Sequence, residues 1–245
     1  MIRMSAQEVY EALLSEERIT EIEGQIRFYL GTVDIVVRQR DVVGNIIQEW
    51  LQGWFDTHEV LYCTNDNSQM PPDFFLNPQN RKTDMLEVKA FNIEASPGFD
   101  IADFNMYQQE IVEKPWMLYV DYLIFGYEMM ADGTVLIRDL WLKKVWEITR
   151  RMKEWPINLQ IKDRVVHKIR PGVFYKRIGY PPFQCLEDFI SAIEETVYKN
   201  PKTHDIAGQW LNQFLGNYEY HYGVRLNVPR WRDIADTYQA LPRGI

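Results

Sequence analysis

Two spacings of apolar residues recur along the chain, one near 3.6 and one of 2, and together they predict an α/β protein. Helical spacing first occurs at residues 6–16, where Val9, Leu13 and Leu14 follow a capping pair of Ser5 and Glu8. A second helix is predicted from residue 44 or 45 to residue 56. Its predicted inner face consists of Ile46, Ile47, Trp50, Leu51 and Trp54. Further helices are predicted at 101–113, 186–198, 206–215 and 231–238.

Strand-like segments lie between these helices. They are predicted at 58–62, 73–76, 85–91, 118–127 and 134–141. The segments 73–76 and 85–91 flank a turn-rich connection, which predicts that they pair as a hairpin. The helix at 101–113, with Asp100 or Asp103 as its N-cap, then separates 85–91 from the apolar strand 118–127. This order predicts a crossover, and so a mixed β-sheet flanked by helices.

The later part of the chain has a different pattern. Residues 165–179 predict a basic two-stranded ribbon broken at Pro171 and Gly172, a shape that can enter a DNA major groove. The helices after residue 186 could form a subdomain or a dimer surface. We predict one domain over residues 1–245. Its predicted regions are a catalytic core at about 44–150, a DNA-recognition region at about 138–180 and a helical C-terminal part at about 186–245.

Composition limits the class of protein. The chain has 245 residues, of which 46% are hydrophobic and 25% charged, which is typical of a folded domain with a sizeable core. No apolar stretch is long enough to span a membrane, and the first residues lack the apolar segment of a signal peptide. Cys63 and Cys185 are far apart, and the four histidines match no metal motif. We therefore expect a cytoplasmic protein with reduced thiols and no membrane partner.

Charge is unevenly distributed along the chain. The net charge is −8, yet residues 138–177 hold twelve Lys and Arg against four Asp and Glu. Phosphate binding requires a local basic surface, so this window predicts double-stranded DNA as a partner. The alternative is a solvated face of mixed elements. Predicted phosphate contacts are Lys143, Lys144, Arg150 and Arg151, and predicted base contacts are Lys168, Arg170, Lys176 and Arg177.

Candidate chemistry lies in the predicted hairpin, in Pro72-Asp73-Phe74-Phe75-Leu76 and Leu86-Glu87-Val88-Lys89-Ala90. Side chains alternate along a strand, so Glu87 and Lys89 share one face. If pairing brings Asp73 beside Glu87, two carboxylates converge next to an ammonium, a site for a hard cation such as Mg2+. The alternative is a surface ion pair on an exposed sheet face. Asp84 is a weaker first acid, because its odd offset from Glu87 places it on the other face.

Pro72-Asp73 followed by Glu87-Val88-Lys89 resembles the PD-(D/E)xK nuclease superfamily. Together with the runs at 97–102, 121–125 and 140–146, it resembles type II restriction endonucleases, most like the NgoBV-like group, over about residues 70–185. The resemblance implies the restriction-endonuclease core, a mixed sheet flanked by helices. It implies Mg2+-dependent cleavage of both strands at a short palindromic site. Targets of GGNNCC type would follow only if the specificity residues also match.

Carried onto this chain, the resemblance implies that Asp73 and Glu87 bind metal and that Lys89 is the catalytic lysine. The backbone carbonyl of Val88 would join the metal ligands. An acid from an early helix often completes such sites, and Glu49 is the candidate; the alternative is a solvated helix residue. A palindromic target implies a homodimer. Two other functions stay open: a repair or structure-specific nuclease of the same superfamily, and a non-enzymatic DNA-binding protein.

Overall fold

The computed structural model describes residues 1–66, 71–163 and 165–241. In chain order, the helices are α1 Ala6–Ser15, α2 Val43–Thr57, α3 Phe104–Glu113, α4 Val145–Ile148, α5 Leu186–Lys199, α6 Ala207–Tyr222 and α7 Trp231–Ile234. The strands are β1 Glu23–Gln25, β2 Arg27–Leu30, β3 Val33–Val36, β4 Cys63–Thr64, β5 Phe74–Phe75, β6 Met85–Asn92, β7 Ala102–Asp103, β8 Asp121–Met129, β9 Thr134–Lys144, β10 Leu159–Lys162 and β11 Val165–Ile169.

The chain divides into two compact units. Unit 1 comprises residues 1–97 and 119–143, and unit 2 comprises residues 98–118 and 144–245. The predicted catalytic core at about 44–150 cuts across this division, because residues 98–118 belong to unit 2. The single-domain organisation stays a prediction. In the part of the chain that the structure describes, no helix combines the length and apolar character that crossing a bilayer requires.

Unit 1 is built on a six-stranded sheet in the order β1-β9-β8-β6-β5-β4. Strand β6 is antiparallel to β5, with Phe74 opposite Leu86, and parallel to β8, with Glu87 opposite Tyr122. The parallel pairing needs a crossover between β6 and β8, and α3 lies in that connection. The predicted hairpin and the predicted mixed sheet flanked by helices are both confirmed.

Helices α1 and α2 supply apolar side chains to the core of unit 1. Helix α1 begins with the predicted capping box: the Glu8 amide donates to Ser5 Oγ, and the Ser5 amide donates to Glu8 Oε2. On α2 the predicted inner face is partly wrong, because Ile46 and Trp50 are exposed. The buried stripe follows a spacing of three or four residues, through Val43, Ile47, Leu51, Trp54 and Phe55.

Two strand predictions in unit 1 need correction, and one pair of strands was not predicted. Residues 58–62 form no regular strand: Val60 makes an isolated bridge with Ile2, and the strand is instead β4. The strand predicted at 118–127 begins at Asp121, because Pro115–Tyr119 forms a 3-10 turn. The pairing of β2 with β3, which the sequence analysis does not predict, forms a separate two-stranded sheet, the β2–β3 ribbon.

Unit 2 combines the three-stranded sheet β10-β11-β7 with the later helices. Asp103 caps α3, since its Oδ1 accepts from the amides of Asn105 and Met106, as predicted. Helices α5 and α6 confirm a helical C-terminal part, although α6 extends to Tyr222. The predicted ribbon at 165–179 is wrong. Strand β11 pairs with β10, and residues 173–179 form no strand.

The hydrogen bonds around Pro171 and Gly172 explain why that ribbon does not form. The Gly172 amide donates to the Ile148 carbonyl at 2.9 Å, and Asn158 Nδ2 donates to the Pro171 carbonyl at 3.0 Å. These bonds tie the predicted turn to residues far back in the sequence. The chain therefore does not reverse there onto β11.

Candidate active site

The β5–β6 pairing brings Asp73 next to Glu87. Phe74 lies opposite Leu86, so the preceding residue, Asp73, reaches the level of Glu87 in the antiparallel register. The Val88 amide donates to Asp73 Oδ2 at 2.8 Å, which fixes the Asp73 carboxylate against the backbone of β6. The convergence predicted from the two sequence runs is therefore present in the structure.

Lys89 lies on the same face of β6 as Glu87. Its Nζ is 2.6 Å from Glu87 Oε1. Glu87 is only 5% exposed, so the alternative interpretation as a surface ion pair on an exposed sheet face is wrong. An ion pair at a buried position costs desolvation energy, which is typical of a functional site rather than of a stabilising surface contact.

Burial dominates the electrostatics of both carboxylates. It raises the pKa of Glu87 from 4.5 to about 7, with a smaller upward contribution from Asp73 and an opposing contribution from Lys89. Burial also raises the pKa of Asp73, against the hydrogen bond from the Val88 amide and the charge of Lys89. The buried carboxylate of Glu87 and the half-buried carboxylate of Asp73 repel each other, so a divalent cation between them would offset both the repulsion and the desolvation.

One atom in this cluster makes it suitable for a metal. Glu87 Oε2 is buried and accepts no hydrogen bond from the described residues. An orphaned carboxylate oxygen beside a second carboxylate is the donor set that Mg2+ prefers. Within the described ranges, no third Asp, Glu, His or Cys completes a group that could hold a metal. The remaining ligands would be backbone carbonyls, water and phosphate oxygens, which Mg2+ commonly retains.

The early helix contributes an amide rather than the expected acid. Gln48 Nε2 on α2 donates to Asp73 Oδ1 at 2.9 Å. Glu49 is exposed, because one residue along a helix turns the side chain by about 100°. The sequence analysis missed Gln48. The feature that could have identified Gln48 is its position on α2. It directly follows the buried Ile47, on the face of the helix that packs toward β6.

Asp84 does not belong to this cluster. It precedes β6 with a φ of 52°, in the left-handed region, and its Oδ2 pairs with Arg3 at 2.9 Å. The preference for Asp73 over Asp84 as the first acid therefore agrees with the structure.

Arg150 needs correction as a predicted phosphate contact. It is 7% exposed, and its Nη1 donates to the Ile178 carbonyl at 2.9 Å. Its side chain lies directly over Gly172, where an added Cβ would approach Arg150 Nε to 1.7 Å. Burial lowers the pKa of Arg150. Its role is therefore structural, holding the segment 172–178 in unit 2.

Two other predicted DNA contacts are arginines bound within unit 2. Arg151 Nη1 donates to the Ala235 carbonyl, and its guanidinium lies over the rings of Tyr180 and Trp231. Arg170 Nε pairs with Asp100 at 2.9 Å, and its Nη1 donates to the Gly98 carbonyl at 2.6 Å. These contacts occupy Nη1 of Arg151 and both Nε and Nη1 of Arg170, which leaves each guanidinium fewer donors for bases or phosphates.

The predicted lysines and Arg177 differ in their exposure. Lys176 and Arg177 are exposed in the segment after Gly172, and Lys168 is half-buried on β11. Lys143 and Lys144 are half-buried at the end of β9. Their contacts with DNA stay predictions. Arg164, part of the basic window, lies outside the described residues.

Comparison with known proteins extends the similarity well beyond residues 70–185. The sequence model of the NgoBV restriction endonuclease family matches residues 3–238. The type II restriction enzyme NlaIV of Neisseria lactamica is 58% identical over 241 residues, which cover 98% of this chain and 99% of that protein. The type II restriction enzyme NgoBV of Neisseria gonorrhoeae is 54% identical over 162 residues, 66% of this chain and 92% of that protein. A solved structure of NlaIV restriction endonuclease matches with a TM-score of 0.94 and 58% identity, covering 98% of both chains.

Proposed function

Since the chain belongs to the NgoBV restriction endonuclease family and is a type II restriction endonuclease, we propose that Asp73, Glu87 and Lys89 are its catalytic residues. The interpretation as a non-enzymatic DNA-binding protein is wrong, because the relatives at 54% and 58% identity are named type II restriction enzymes. One observation carries the assignment: a buried Glu87 with an orphaned oxygen, beside Asp73 and 2.6 Å from Lys89.

Asp73 and Glu87, with the backbone carbonyl of Val88, would hold one or two Mg2+ ions. The orphaned Oε2 of Glu87 and the carboxylate oxygens of Asp73 beside it support a hard cation. When bound, Mg2+ supplies Lewis-acid polarisation of the phosphate and lowers the pKa of the attacking water. Glu49 is not part of this set. Gln48 instead positions Asp73 through its hydrogen bond to Oδ1.

Lys89 provides the positive charge that the reaction needs. Its ammonium is held at the edge of the carboxylate pair by Glu87 Oε1. There it would orient the attacking water and stabilise the negative charge that develops on the phosphate oxygens. Water attacks phosphorus in line with the P–O3′ bond, which breaks, and the departing O3′ takes up a proton. The products carry a 5′-phosphate and a 3′-hydroxyl.

The substrate that fits is double-stranded DNA with a short palindromic site, of GGNNCC type by resemblance to the group. Two strands require two active sites, and a palindrome requires two-fold symmetry, so the working form would be a homodimer. Lys143, Lys144, Lys168, Lys176 and Arg177 remain the candidates for DNA contacts. Cleavage would take place in the cytoplasm, in agreement with the free thiols of Cys63 and Cys185.

Alanine substitutions test the catalytic assignment. Asp73→Ala, Glu87→Ala and Lys89→Ala are each expected to lower the cleavage rate by about a hundred-fold or more, since each removes a metal ligand or the charge-stabilising cation. Binding to the target in Ca2+ and the melting temperature show whether each variant still folds. Asp84→Ala is the matched control, a carboxylate of the same hairpin that pairs only with Arg3 among the contacts described for it. Cleavage near the wild-type rate by Glu87→Ala would remove the assignment.

A further inference from the structure

The β2–β3 ribbon has one fully apolar face that nothing in the described structure covers. Phe28 lies opposite Ile35, and Leu30 lies opposite Val33. Strand alternation therefore puts these four side chains on one face, while Arg27, Tyr29, Asp34 and Val36 occupy the other. The four apolar side chains are between 50% and 71% exposed. A two-stranded ribbon is marginally stable alone. An uncovered apolar face made of four large side chains therefore marks an interaction site.

An apolar groove of about 220 Å3 lies next to the base of the ribbon in unit 1. Ile22, Ile46 and Trp50 line this groove and are exposed. Ile46 and Trp50 are the two residues of the predicted inner face of α2 that are not buried. Ile26 also lines the groove, and its carbonyl accepts from the Val37 amide at 2.8 Å. Ile26 is two residues before Phe28, so the alternation of β2 carries the apolar face of the ribbon onto the groove.

We propose that the ribbon docks into the apolar groove of a second copy of this chain, and that the second ribbon docks in return. A convex and a concave apolar surface side by side on one chain form the self-complementary patch that a two-fold interface requires. Docking each ribbon into the groove of the other copy covers the ribbon face and the groove of both copies. Packing one ribbon on the other would leave both grooves uncovered. A standard interface uses about 20–30 residues on each side. The ribbon face and the groove comprise fewer residues, so they would form the apolar centre of a larger interface.

The charge of the ribbon argues against DNA as its binding partner. Arg27 and Asp34 are the charged residues of β2 and β3, and they pair with each other, with Arg27 Nε 3.3 Å from Asp34 Oδ1. The ribbon therefore offers no net positive charge to phosphates. The choice of a second copy rests in part on the proposed function, since cutting both strands of a palindrome needs two Asp73–Glu87 sites.

Two neighbouring positions test the ribbon. Leu30 and Tyr29 are 71% and 65% exposed on the same strand, but on opposite faces. By sedimentation velocity without DNA, we expect the wild type to be a dimer and Leu30→Lys to raise its dissociation constant on the order of a hundred-fold or more, because symmetry buries the unpaired charge twice. Tyr29→Lys, with the same added charge, should stay within a few-fold of wild type. A monomeric wild type, or equal effects of the two substitutions, would overturn the proposal.

A mixing experiment tests the exchange itself. Ile46→Glu places a negative charge in the groove, and alone it should dissociate the dimer as Leu30→Lys does. In an equimolar mixture of the two variants, one contact pairs Lys with Glu and the other is wild type on both sides. The mixture should therefore recover a heterodimer, and a mixture that stays monomeric would overturn ribbon-to-groove docking.

A different experimental result would refute the proposed function. If the wild-type protein leaves DNA uncut in Mg2+, the catalytic proposal is wrong whatever its oligomeric state. If Leu30→Lys stays a dimer while wild type cuts, only the docking proposal is wrong. Melting curves of the Lys and Glu variants complete the comparison, and each variant is expected to keep one cooperative transition because the altered residue is exposed in the single chain.

Discussion

At the scale of single residues, the buried carboxyl of Glu87 couples pH to stability and to metal binding. Its pKa in the folded protein is raised to about 7 from 4.5, first by burial. Between these two values the folded state therefore binds more protons than the unfolded state. Without metal, this group makes the free energy of unfolding fall as pH rises from about 4.5 to about 7. A divalent cation binds the deprotonated form, so its stabilising effect should grow over the same range.

Glu87→Gln tests this coupling. The substitution keeps the size of the side chain and removes its titration, so the decline in unfolding free energy with pH in EDTA should become shallower. The gain in stability on adding Mg2+ at pH 8 should also be lost. Urea unfolding at a series of pH values, with and without Mg2+, measures both effects. An unchanged pH slope in Glu87→Gln would contradict the raised pKa.

Gln48 gives a second prediction at this scale. Its hydrogen bond to Asp73 Oδ1 orients a carboxylate that we propose binds metal, and it opposes the rise in the pKa of Asp73. Gln48→Ala should lower cleavage by about 10- to 100-fold and raise the Mg2+ concentration needed for half-maximal rate. Glu49→Ala, one position along on the exposed face of α2, is the matched control and should cleave like wild type. The reverse order of effects would restore Glu49 to the site.

At the scale of secondary-structure elements, the β5–β6 hairpin could be predicted from sequence because its signals are local. Asp73, Glu87 and Lys89 lie on short apolar strands joined by a turn-rich segment, and strand alternation alone pairs Glu87 with Lys89. The ribbon at 165–179 was wrongly predicted because Pro171 and Gly172 are fixed by Ile148 and Asn158, which no local pattern reveals. The β2–β3 ribbon was missed because its alternation is imperfect: Tyr29 and Val36 share the face of Arg27 and Asp34.

The contact of Arg150 with Gly172 gives a testable prediction for unit 2. An added methyl group at Gly172 would approach Arg150 Nε to 1.7 Å, so Gly172→Ala forces the guanidinium out of its buried position. Overpacking of this kind costs about 1–3 kcal/mol, which should lower the melting temperature. Gly208→Ala is the control, since a Cβ at Gly208 meets no atom within 4 Å. If Gly172→Ala melts like Gly208→Ala, the structural role of Arg150 is wrong.

At the scale of the whole molecule, charge and family similarity account for different parts of the function. The window 138–177 is basic in a chain of net charge −8, which correctly suggested a protein that acts on DNA. Which residues of this window contact DNA stays a prediction, and Arg150, Arg151 and Arg170 already make contacts within unit 2. A count of charges cannot separate structural arginines from exposed ones. The charge distribution also gives no indication of the proposed dimer, because the ribbon face and the groove that would form its interface are apolar.

The most direct test of the central claim is a digest of DNA of known sequence, with the fragment ends mapped, in Mg2+, in Ca2+ and in EDTA. We expect discrete fragments in Mg2+, with both strands cut at GGNNCC-type sites and with 5′-phosphate and 3′-hydroxyl ends. Ca2+ should support binding without cleavage, because it accepts the oxygen ligands in looser geometry, and EDTA should abolish cleavage. Cleavage that continues in excess EDTA would contradict the metal-dependent mechanism, and Mg2+-dependent cuts without a fixed sequence would contradict a site-specific enzyme.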